Sequence, residues 1–132
     1  MTEASHDGKT VVVNTAATFA ATLPAATGSG ARFKIIVGAT VTTGSFTVSV
    51  ADATDTMDGN AFFKTDNATN AANVIGFAAT ADDDTITMNG STKGGIIGDI
   101  IELEDIATNI WSVRITGTAT GTEVTPFSAA VS

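Results

Sequence analysis

The chain has 132 residues, a formal charge of −8 from 14 acidic and 6 basic residues, and no cysteine. That length fits one domain whose core needs no metal staple, and the missing thiols exclude disulfide frameworks, thiolate zinc sites and cysteine nucleophiles. The acidic balance opposes direct binding to a nucleic-acid backbone, no stretch is long and apolar enough for a membrane-spanning helix, and "MTEASHDGKT" lacks the pattern of a secretory signal.

Residues 1–10 are polar and carry Gly8, which predicts a flexible N-terminal arm ahead of a single β domain over 11–132. "KTVVVN" and "ATFAATLP" read as the first two strands, the second ended by Pro24, which has no N–H for a sheet ladder. In "TLPAATGSGARFKIIVG" the Gly28-Ser29-Gly30 run has the letters of a phosphate-binding loop, but it leads into a β-branched run and not a helix, so it reads as a turn. "RFKIIVG" and "SFTVSVA" form the next pair, joined through Gly44 as in a meander. Asp52 to Asn73, rich in Asp, Asn and Ala, reads as a long loop with a short strand at Phe62 and Phe63. "NVIGFAAT" and "DTITMNG" resume the strands, with Asn89-Gly90 as a hairpin turn.

The last third has the clearest pattern. In "DIIELEDIATNIWSVRITG", Ile101 and Leu103 alternate with Glu102 and Glu104, and Trp111, Val113 and Ile115 alternate with Ser112, Arg114 and Thr116. This predicts a hairpin with one dry face, a turn between Ile106 and Ile110, and Arg114 opposite Glu102. "TEVTPFSAAVS" adds a strand that Pro126 confines to an edge or a bulge. Eight or so strands without a secure helix, and without a fixed-period repeat, predict an all-β domain: an antiparallel β-sandwich, jelly-roll-like, or a small barrel.

No residue set assembles into a catalytic or cofactor site. His6, the one histidine, lies in the polar arm without a partner to orient it. Glu102 and Glu104 share the wet face of their hairpin, where nothing separates their pKa values as a glycosidase requires. Asp52, Asp55 and Asp58, and Asp82, Asp83 and Asp84, offer oxygen ligands for Ca²⁺ but lack the EF-hand spacing, and such residues more often cap turns. "NGSTKGGIIG" has Walker-like letters in the wrong order. Asn67-Ala68-Thr69 and Asn89-Gly90-Ser91 match glycosylation acceptors, which matter only in a eukaryotic secretory pathway. Aromatics are 6% with no tyrosine, and Trp111 shares a face with Val113 and Ile115, which weighs against a sugar-binding cleft.

The Thr/Ala-rich strand ending "TLPAATGSG", then "ARFKIIVGATVTTGSFTVSV", "MDGN", "ADDDTITMNG" and "GDIIELEDIATNIWSVRITG", together resemble small virion proteins of tailed bacteriophages, over about Lys9 to Gly117. Within that group the chain is most similar to the capsid decoration, or cement, proteins. The resemblance implies a non-enzymatic β-domain, typically a homotrimer, that folds in the host cytoplasm and clamps major capsid subunits on the outer surface of the virion. A decoration protein needs no catalytic site, thiol or signal peptide, and with this composition no cofactor, metal, membrane or direct nucleic-acid partner is expected. Under it, the arm residues Thr2, Glu3, His6, Lys9 and Thr10 are expected to pair with a capsid strand on docking. Phe62 and Phe63 are the candidate anchor to the capsid or to another protomer, against the alternative that one of the two plugs the core. The rival function is a receptor- or carbohydrate-binding β module of a tail fibre or bacterial surface protein.

Overall fold

A computed structural model describes residues 1–66 and 73–131. Its elements are a helical turn α1 (Glu3–His6), β1 (Lys9–Val13), β2 (Phe19–Thr22), β3 (Arg32–Val37), β4 (Phe46–Ser49), β5 (Thr56–Thr65), β6 (Val74–Ala78), β7 (Thr85–Met88), β8 (Ile100–Ala107), β9 (Ile110–Ala119) and β10 (Phe127–Ser128). They form a six-stranded sheet in the order β1-β3-β8-β9-β5-β6 and a four-stranded sheet in the order β10-β7-β4-β2. Neither sheet closes into a barrel, and the two enclose one core, as expected of an all-β sandwich.

Both sheets are mixed, which departs from the antiparallel, jelly-roll-like expectation. β1 runs parallel to β3, β2 to β4, and β5 to β9. The first two pairings share a cause. β1 does not turn back beside itself; the chain crosses to the other sheet and continues as β2, and β3 crosses in the same way to β4. The second arch lies on the first, so both strand pairs are parallel. The arcs bond to each other as well: Gly38 N–H donates to the Val13 carbonyl, Thr42 N–H to Ala16, and Phe19 N–H to Ser45. The meander expected between β3 and β4 is therefore replaced by a change of sheet. Lys9 aligns with Phe33 in one sheet and Phe19 with Phe46 in the other. The arc 38–45 is longer than the arc 14–18, so the stacked arches leave no constant period in the sequence.

Alternation sets which face is buried. Phe33, Ile35 and Val37 of β3, Ile101 and Leu103 of β8, and Trp111, Val113 and Ile115 of β9 point inward against Phe46, Val48, Ile86 and Met88 of the smaller sheet. Phe33 stacks on Trp111 with centroids 5.5 Å apart, and Phe19 stacks on Phe46 at 5.1 Å. The β8–β9 hairpin has the register expected from its sequence, Glu102 opposite Arg114. Its turn uses Asn109 at φ 65°, a left-handed conformation that asparagine tolerates.

Three other expectations are corrected. The supposed long loop from Asp52 contains β5, a ten-residue strand between β9 and β6; its Asp58, Gly59 and Asn60 look like turn residues, but β9 on one side and β6 on the other satisfy its backbone. Asn89-Gly90 makes no hairpin. The Asn89 carboxamide oxygen accepts N–H bonds from Ser91 and Lys93 and curls the chain into a loop, while β7 pairs with β4 and β10. The arm expected over 1–10 includes Lys9 and Thr10, which belong to β1. Pro126 behaves as expected, placing β10 at a sheet edge. The acceptor Asn67-Ala68-Thr69 lies outside the described residues.

Candidate functional site

The Gly-Ser-Gly run is a turn, and its N–H groups do cradle an anion: the chain's own Asp105. Asp105 is fully buried on the dry face of β8, opposite Trp111. One carboxylate oxygen accepts from Gly28 N–H at 2.7 Å; the other accepts from Thr27 N–H at 2.9 Å and Ser29 N–H at 3.1 Å, with the Thr27 and Ser29 hydroxyls adding bonds of 3.2 and 2.9 Å. Burial pushes this carboxyl up, but the donors of Thr27, Gly28 and Ser29 outweigh it and hold it below the usual carboxylate range.

The same device recurs. Asp99, buried at the start of β8, accepts from Gly95, Ile96 and Thr118 N–H at 2.9, 3.1 and 2.9 Å, which organises the Walker-like "NGSTKGGIIG" loop around an internal charge. Here burial dominates and the Asp99 carboxyl is raised. Asp84 accepts from Ala130 and Val131 N–H and from the Thr85 hydroxyl, and so ties down the C-terminal segment. Burial pushes it up, and these donors bring it below its ordinary value. Asp55 accepts from Ala26 N–H, and Asp83 from Thr80 N–H.

The two Asp sets that sequence offered to Ca²⁺ are thus divided: Asp52, Asp55, Asp83 and Asp84 accept from different backbone segments, and Asp58 stands in β5. Among the described residues, no group of three or more His, Cys, Asp or Glu is placed to hold a metal ion.

These directions set a pH profile. A carboxyl lowered on folding contributes stability above its unfolded value of ~3.9 and loses it as pH falls through the folded value, which is the case for Asp105 and Asp84. Asp99, raised on folding, works in the opposite sense and gains as it is protonated. The urea midpoint is expected to hold or rise slightly from pH 7 to about 5 and to fall steeply below about 4. A steady decline beginning at pH 7 would contradict this assignment.

Two surfaces are candidates for contact. The first is the side of the sandwich formed by β1 and β2. Among the described residues each pairs with a strand on one flank only, so two sheet edges lie at the same end of the sandwich, the β2 edge being met at Thr22 by the N-terminus. β1 carries no proline or acid to protect its edge, and Val12 is 51% exposed. The N-terminal segment lies beside this side. The Met1 amino group bonds to the Thr22 carbonyl, the Glu3 carboxylate accepts from the Ser29 hydroxyl at 2.9 Å, and the Asp7 carboxylate accepts from Arg32 N–H at 2.8 Å. Thr2 N–H meets His6 Nδ1 at 3.1 Å, and Lys9 Nζ donates to the Ser5 carbonyl. Thr2 and His6 thus meet in one turn that Lys9 closes at the start of β1, Glu3 is held on Ser29, and Thr10 lies within β1.

The second surface is the outer face of the six-stranded sheet. Phe62 and Phe63 divide here as adjacent strand residues must: Phe63 is fully buried in the core, whereas Phe62 is 46% exposed on the outer face with its ring over Gly76. Phe63 is accordingly excluded from any interface. A groove of about 630 Å³ lies on this face, bounded by Arg32, Lys34, Glu102, Glu104 and Arg114. Arg32 and Glu104 form a 3.3 Å ion pair across β3 and β8; both side chains are well exposed, so it contributes under ~1 kcal/mol. Sequence reasoning missed Arg32, Lys34 and Ile36 as surface residues, although their alternation with Phe33, Ile35 and Val37 was the available signal.

No family model, curated protein or solved structure matches the chain.

Proposed function

We propose that the chain is a non-enzymatic structural protein of a virion: a β-sandwich that docks on the outer surface of a tailed-phage capsid and bridges neighbouring major capsid subunits. The observation that carries this reading is the paired open edge of β1 and β2, which offers backbone donors and acceptors from both sheets to an added strand. The phage resemblance of residues 9–117 supplies the class of partner. The buried carboxylates support a structural role, since each is turned onto backbone N–H groups of its own fold. Repetition on a closed shell makes weak individual contacts sufficient.

The test is co-sedimentation of the purified chain with expanded heads of the phage that encodes it, stripped of the chain. Saturable binding is expected. Ala20→Lys places a charge on the exposed side of β2 and is expected to lower occupancy at least tenfold with no change in melting temperature. Failure of the unaltered chain to sediment would overturn the reading. The charged groove is the observation that favours the alternative, a receptor-binding module, and binding to host cells but not to heads would select it.

A further inference from the structure

We infer that the outer face of the six-stranded sheet is the interface of a homodimer, in which a second copy packs face to face about a two-fold axis running along the strands between β8 and β9. This does not rest on the capsid reading, and it departs from the homotrimer that the phage resemblance implies.

Strand registers place the outward side chains in level rows. One row runs Arg32, Glu104, Ser112, Asp58. The next runs Thr10, Lys34, Glu102, Arg114, Asn60. The third is Val12, Ile36, Ile100, Thr116, Phe62, and it is apolar apart from its threonine. In a chain of net charge −8 with 6 basic residues, Arg32, Lys34 and Arg114 lie on this face, and Lys64 joins them two residues beyond Phe62 on β5. The face carries both charge signs beside an apolar stripe.

Those rows are self-complementary under one symmetry operation. An axis along the strands keeps each row level and exchanges β8 with β9, β3 with β5, and β1 with β6. Glu102 then faces Arg114 of the second copy, Arg32 faces Asp58, Lys34 faces Asn60, and Ile36 faces Phe62. No like charges meet. An axis across the strands instead turns each strand onto itself, bringing Arg32 towards Lys34 and Glu102 towards Glu104. Charge complementarity therefore selects both the occupant and the orientation, since an isologous interface must match itself. It also leaves the two β1/β2 edges at opposite ends of the dimer.

Native mass spectrometry and sedimentation equilibrium of the full chain read this directly. A species of twice the 13.2 kDa chain mass is expected at micromolar concentration. Phe62→Lys is expected to weaken it at least a hundredfold while the circular dichroism melt stays unchanged. Arg32→Glu and Asp58→Arg, far apart within one chain, should each dissociate the homodimer, whereas mixing the two single variants should restore a mixed dimer. A monomer at 100 micromolar or a trimer would overturn the inference. So would a dimer indifferent to these substitutions.

Discussion

Asp105→Asn is expected to lower the unfolding free energy by ~3 kcal/mol or more, among the larger effects of any single-atom change in this chain. Every group facing the carboxylate is a donor: three backbone N–H groups at 2.7 to 3.1 Å, and the hydroxyls of Thr27 and Ser29. An asparagine keeps one acceptor oxygen and turns an NH₂ towards donors, so buried N–H groups lose their partner and the charge that favoured them. Each charge-assisted bond contributes ~1.5–3 kcal/mol, but they share one group and do not add. Urea unfolding checks it, with Asp52→Asn as control because that carboxylate caps Thr54 in the open. A loss under ~1 kcal/mol for the Asp105 variant would show that the 27–29 turn holds without its anion.

Gly59→Ala should destabilise by ~3 kcal/mol or more, through contact and not charge. Gly59 stands opposite Val113 in the parallel β5–β9 pairing. Its φ is 155°, and an added Cβ would lie 1.8 Å from the Val113 carbonyl oxygen, which is backbone and cannot rotate away. β5 and β9 would have to separate in the middle of the larger sheet. Gly30→Ala is the comparison: its φ of 76° is also left-handed, but nothing lies within 4 Å of the added carbon. It should cost ~1–2 kcal/mol. Equal effects at the two positions would mean that φ, and not the approach of β9, makes Gly59 necessary.

Legibility of the fold in the sequence depends on how local the determining contacts are. The β8–β9 hairpin is legible to its register because its alternation is strict and its partners adjoin in the chain. The partition into two sheets is not, because an arc that crosses between sheets has the same Thr, Ala and Gly composition as a hairpin loop. β5 is hidden by Asp58, Gly59 and Asn60, although Met57, Ala61 and Phe63 alternate correctly on its buried face. Alternation with Ile101 and Leu103 puts Asp105 on the dry face and Asp99 stands at a strand start, but what lets each carboxylate be buried comes from elsewhere in the chain: donors from residues 27–29 in one case and from 95, 96 and 118 in the other. Of the candidate interface, Phe62 and the N-terminal residues can be named from sequence. The Arg32–Lys34–Ile36 side of the outer face requires the registers.

The most direct measurement of the docking claim is hydrogen exchange on the chain, free and bound to expanded heads. Slowed exchange confined to Lys9–Val13 and Phe19–Thr22 is expected, because added strands would occupy the open flanks of β1 and β2. Unchanged exchange in both strands on chain that has bound, with protection elsewhere, would contradict docking through that edge.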